Sequence, residues 1–139
     1  MSDSTSALGL ERLGTHSYIA RNERGAEVRV GTPGTAGAFA PGELLQLALA
    51  ACASLSADHT LASKLGSDFS ATVGVNGSTH AEDNRYETVG ATIQADMSSL
   101  SAEEVDALVT RAQRAIERLC TIGHTIDHGA VRSIDIVPA

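Results

Sequence analysis

The stretch Pro41-Gly42-Glu43-Leu44-Leu45-Gln46-Leu47-Ala48-Leu49-Ala50-Ala51-Cys52 decides the reading of this chain. Leucine and alanine are strong helix formers, and before Cys52 only Glu43 and Gln46 are strongly polar. Good helix formers continue to Lys64, and Gly66 stands where a helix would stop in the left-handed conformation. The pattern predicts a helix over Gly42–Lys64 whose first half is apolar on nearly every face and therefore buried on most sides. Its second half turns polar at Ser54, Ser56, Asp58 and His59. The helix carries one of only two cysteines; the other, Cys120, lies 68 residues on at the end of a second helical pattern.

Around this helix the chain alternates between two periodicities. Ser101 with Glu104 three residues later is a capping box, and it opens a helix with apolar positions Val105, Leu108, Val109, Ala112, Ala115, Ile116 and Leu119. Gly123 weakens that pattern just after Cys120, which predicts a break or a second short helical turn. Residues 16–20 and 26–30 read as strands about a turn in which Asn22 and Gly25 supply unusual dihedrals. Residues 71–78 and 86–97 alternate as strands about a polar turn, and 131–137 reads as a closing strand. Residues 1–9 read as a loose terminus. The glycine-rich loop 31–40 lacks the GK[ST] ending of a phosphate loop. This order predicts one α+β domain over 1–139, an antiparallel sheet with two main helices.

Composition removes several classes of function. A net charge of −7, no Trp, two Phe and two Tyr argue against a nucleic-acid partner, since neither a basic surface nor a stacking platform is available. No signal peptide opens the chain and no apolar run of about 18 residues is seen, which predicts a soluble, cytoplasmic protein without a membrane partner. There a permanent disulfide is not expected, so the cysteines are either a reactive pair or two inert buried thiols. Alone in its alanine-rich setting Cys52 would have a raised pKa and be inert; reactivity needs a nearby cation and some access. Thirteen glycines and few aromatics indicate a thin core, which favours an oligomer.

The pattern P-x-E-L-L-x-x-A-L-A-A-C, a polar second helix ending in a cysteine, and the strand order resemble the OsmC/Ohr family of thiol-dependent hydroperoxide reductases from about His16 to Val137. The context Leu119-Cys120-Thr121-Ile122-Gly123-His124-Thr125 supports the likeness. It implies an OsmC-like fold in an intertwined homodimer. It implies that Cys52 attacks an organic hydroperoxide, becomes a sulfenic acid and is resolved by Cys120 into a disulfide. It also implies a dithiol reductant such as a lipoylated protein, a role in oxidative-stress defence, and no cofactor. An arginine of the N-terminal hairpin, Arg24 with Arg21 as close competitor, would polarise the thiolate. Glu43 would take the role of the family's glutamate. Two departures stand out. The Ohr-branch glutamate directly follows the proline, where this chain has Gly42, so Glu43 is turned by about 100° on a helix, and its first-turn position also suits a helix dipole. Thr121 stands where proline often follows the resolving cysteine.

Two other readings remain open from the residues. Cys120, His124 and His128 are spaced by four and would line one face of an unbroken helix, with Cys52 completing a tetrahedral metal set, although Gly123 and Gly129 interrupt it. The rival to catalysis is a non-catalytic OsmC-fold protein that binds a small apolar ligand or serves as a stress-linked interaction module.

Overall fold

Alternating Leu, Tyr, Ile and Val in the first part of the chain form three strands. In the computed structural model, which describes residues 8–139, these are β1 (Leu8–Gly14), β2 (Ser17–Asn22) and β3 (Glu27–Gly31). They pair antiparallel in the order β1-β2-β3, with Leu10 opposite Ala20 and Ser17 opposite Gly31. The β2–β3 turn is held by the Asn22 side chain, whose Oδ1 accepts the Arg24 and Ala26 N–H groups at 3.0 Å each, while Gly25 takes φ 90°. A loop then returns along β3, where the Gly31 N–H donates to the Phe39 carbonyl at 3.0 Å and that of Phe39 to Arg29 at 2.9 Å. These strands, the loop and the first turn of the next helix make a compact unit that ends at Leu45.

The second compact unit is Gln46–Ala139. Helix α1 runs Pro41–Leu65, and Gly66 closes it with φ 99° and an N–H to the Ala62 carbonyl at 2.8 Å. A hairpin follows, β4 (Ala71–His80) with β5 (Arg85–Ala95), in register at Val75 opposite Ala91 and turned at Asn84 with φ 51°. The Ser101–Glu104 capping box opens α2 (Ala102–Leu119) with both reciprocal hydrogen bonds present. The chain breaks at Cys120, whose ψ of 93° is extended, and resumes as α3 (Thr121–His128), which Gly129 closes with φ 75°. The core is the seam of α1 and α2, where Ala57, Leu61, Leu108 and Ala112 are buried together under Ile93 and Met97 of the hairpin side. Lys64 and Glu104 tie the same two helices at 2.9 Å on the surface.

Several expectations are corrected. Leu8 and Gly9, read as terminus, belong to β1, while residues 1–7 lie outside the described residues. The single antiparallel sheet is two sheets, of three and two strands. Residues 131–137 form no strand, and Val131 and Ile136 are about fully exposed at 103% and 98%. Alternation makes a segment fit for a sheet, but a strand exists only where an open edge accepts its backbone hydrogen bonds. Helix α1, finally, is long and apolar enough by length and composition alone to cross a membrane. Its residues Ala50, Ala53, Ala57 and Leu61 are buried, whereas Leu45, Leu47 and Leu55 are exposed.

Candidate active site

Two thiols separated by 68 residues meet in the second unit, both free. Cys52 projects from the middle of α1 and is half-buried; Cys120 is buried, 3% exposed, at the junction of α2 and α3. That junction has a double use. The Cys120 N–H closes α2 on the Ile116 carbonyl at 2.9 Å, and its sulfur caps α3 by accepting the Gly123 N–H at 3.3 Å. The first N–H groups of any helix lack partners within it, so the start of α3 offers donors to whatever lies over it.

What lies over it is the Cys52 sulfur. The Ile122 N–H is the largest of the effects that pull the Cys52 thiol below its ordinary pKa, and the Cys120 thiol and the Thr121 N–H act in the same direction against burial. Cys120 moves the other way: burial is the main cause of its raised pKa, and the neighbouring Cys52 raises it further. The two shifts are opposite and mutual. These directions favour Cys52 over Cys120 as the sulfur that ionises. Cys52, expected to be inert unless a cation approached, thus has its pKa lowered by backbone N–H groups of its own unit.

Ser56 lies one turn along α1, and its hydroxyl donates to the Cys52 carbonyl at 2.7 Å. Gly123 permits the close packing here, since a Cβ at that position would meet Cys120 Sγ at 3.3 Å. Ile122 was not singled out in the sequence, and Thr121 was noted only as a departure from proline and Ser56 only as a polar position of the helix. The available signal was the break itself: a cysteine with glycine three residues later matches a cap residue and its third helical position.

Of the other expected site residues, Arg21, Arg24 and Glu43 lie in the first unit. Arg21 is held by two carboxylates, Glu27 at 2.7 Å and Glu11 at 2.9 Å, which raise its pKa further. The Arg24 guanidinium makes no ion pair among the described residues. Glu43 reaches back as third residue of α1 to accept the Ala40 N–H at 2.8 Å, half of a capping box. His59 is exposed on α1. The His124 ring nitrogen Nε2 bonds the Glu117 carbonyl at 2.6 Å and His128 Nδ1 that of His124 at 2.9 Å. Among the described residues no three His, Cys, Asp or Glu side chains gather as a metal set.

Comparison with known proteins places this geometry. The family model described as OsmC-like protein matches residues 34–134. Uncharacterized proteins of Mycobacterium bovis and Mycobacterium tuberculosis are 41% identical over 130 residues, covering 94% of this chain and 95% of theirs. Among solved structures, a hypothetical protein from Aquifex aeolicus has a TM-score of 0.68 at 17% identity, with 88% of this chain and 86% of that one covered. An OsmC-like protein from Mycoplasma pneumoniae has a TM-score of 0.60 at 17% identity over 88% and 86%. The organic hydroperoxide resistance protein OhrB of Bacillus subtilis has a TM-score of 0.50 at 18% identity over 85% and 89%. At such identities these structures share the fold with this chain.

Proposed function

The chain belongs to the OsmC-like family, and from that premise we propose that it is a thiol-dependent peroxidase that reduces organic hydroperoxides to alcohols. The observation that carries the proposal is the pair of free thiols, a half-buried Cys52 whose pKa its neighbours lower beside a buried Cys120 whose pKa burial raises. The Cys52 thiolate attacks the terminal oxygen of ROOH; the O–O bond breaks, the alkoxide takes a proton and leaves as ROH, and Cys52 becomes a sulfenic acid. Cys120 then attacks that sulfur, an S–S bond forms and water leaves. A dithiol donor reduces the disulfide by exchange and is itself oxidised to a disulfide.

In this proposal Arg24, which makes no ion pair among the described residues, is the arginine that serves the thiolate, and Arg21 with Glu11 and Glu27 stiffens the strands. Glu43 starts α1 through its bond to Ala40 and orients the peroxide from there. The working form is a homodimer in the reducing cytoplasm, with the exposed leucines of α1 as part of the joint surface. Apolar residues around Cys52 favour alkyl hydroperoxides over hydrogen peroxide.

The test is steady-state peroxide consumption with dihydrolipoamide, comparing cumene hydroperoxide with hydrogen peroxide. The organic substrate should turn over faster. If neither peroxide is consumed and neither thiol oxidises rapidly, the proposal is wrong.

A further inference from the structure

Beneath β5, between α1 and α2, the second unit holds a cavity of about 400 Å³. Its existence follows from small side chains where two helices meet: Ala53 and Ala57 of α1 face Ala112 of α2, and all three are buried. An alanine ends at Cβ, so the seam closes around Leu61 and Leu108 but leaves space beside them. Ile93, Met97 and Val109 form half-buried walls, and Met97 is the kind of flexible thioether that adapts to an occupant. Neither Cys52 nor Cys120 borders the space.

The polar lining is sparse and neutral. Thr92 and Gln113 are the two polar residues of the lining, both exposed, and no Asp, Glu, Lys or Arg lines the cavity. Small-molecule sites have this composition: apolar walls with one or two polar groups that fix orientation, in a volume of roughly 300–1,000 Å³. An ionised head brought here would lose water without gaining a counter-charge, which is costly. At about 30 Å³ per heavy atom, a water's share of liquid volume, the space takes on the order of ten atoms.

From these features we infer that the cavity is a binding site for a neutral aliphatic molecule of about eight to ten carbons, such as a medium-chain alcohol. Its chain lies on the alanine floor and its hydroxyl bonds Thr92 or Gln113. This site is independent of the thiol chemistry proposed above, and a failure of either leaves the other standing.

The experiment is methyl NMR of the full chain titrated with 1-octanol, with octanoate in parallel. Ile93, Met97 and Val109 methyls should shift saturably with octanol and at least tenfold more weakly with octanoate. Ala112→Leu fills the floor, and Val109→Trp closes a half-buried wall at less risk to folding. Each folded variant should weaken octanol binding at least tenfold. If Ala112→Leu fails to fold, Val109→Trp decides. No saturable shift in the parent, undiminished binding in the folded variants, or equal binding of octanoate would each overturn the inference. So would methyl shifts that follow protein concentration rather than alcohol, since a second copy would then fill the space.

Discussion

Thr121→Pro tests whether the start of α3 activates Cys52. The substitution is conservative for the backbone. Thr121 is the first residue of α3, a position that accepts proline because its N–H has no partner within the helix. Cys120 before it is already extended at φ −76° and ψ 93°, as a residue preceding proline prefers. The Thr121 carbonyl keeps its hydrogen bond from Thr125 Oγ1 at 2.8 Å. Only one donor to the Cys52 sulfur is lost, and the stronger Ile122 N–H remains.

A hydrogen bond to a charged group is worth about 1.5–3 kcal/mol, and about 1.4 kcal/mol corresponds to one pKa unit. With a half-exposed sulfur and the smaller of two backbone donors, the low end applies, so the apparent pKa of Cys52 should rise by about one. The N–H stabilises the thiolate, so its removal can only raise the value. Nucleophilicity rises with basicity with a slope of about 0.4–0.5, so a tenfold smaller thiolate fraction is partly offset. Alkylation by iodoacetamide should therefore be about three- to fourfold slower at a pH well below both pKa values, and about threefold faster above both. Buried Cys120 reacts slowly, and peptide mass analysis assigns the modified residue. The crossing of the two pH profiles is the signature, because general damage to the fold would not speed the reaction at high pH. An unchanged pKa, or an equal loss at every pH, would refute the activation by α3.

The remaining predictions address the pair, the assembly and acid stability. Cys52→Ser should abolish peroxide consumption, while Cys120→Ser should lose one thiol per chain to the first equivalent and then stall or over-oxidise; mass spectrometry of each variant reads this, and oxidation confined to Cys120 would reverse the roles. Light scattering at micromolar concentration should give twice the 14.3 kDa chain mass, since Leu55 is 76% exposed in the single chain and Ile134 77%; a stable monomer would contradict it. Glu104 is held at about 2, against an ordinary 4.5, first by the Ser101 N–H and then by Lys64. Its folded pKa lies below the unfolded one, so its stabilisation is complete above about 4.5 and fades as pH falls toward 2. Acid titration of Glu104→Gln should lack that part of the loss, and an identical acid limb in parent and variant would show that the capping carboxylate contributes nothing.

Local order was legible where a residue's chemistry acts on its immediate neighbours. The apolar run from Leu44 to Ala51 specifies a helix by propensity alone, Gly66 ends it, and Ser101 with Glu104 caps α2 through bonds three residues apart. Asn22 and Gly25 shape the hairpin turn in the same way. Of the contacts between distant segments, only the meeting of Cys52 and Cys120 was legible, through the family resemblance. Nothing near Cys52 in sequence reveals that the N–H groups of Ile122 and Thr121 will lie over its sulfur, because those donors are backbone and identical in every residue but proline. Gly123 announced a break and a second helical turn after Cys120, but only the extended ψ of Cys120 makes that residue the cap of α3, reversing the sign of the dipole that it offers to a neighbour. Alternation at 131–137 promised a strand, yet pairing depends on an edge elsewhere, and this chain alone leaves the segment unpaired. Arg21 and Arg24 were indistinguishable as residues; the antiparallel register that sets Arg21 opposite Glu27 separates them. Sequence determines what each segment can form, and tertiary packing decides which unpaired donor, charge or edge it meets.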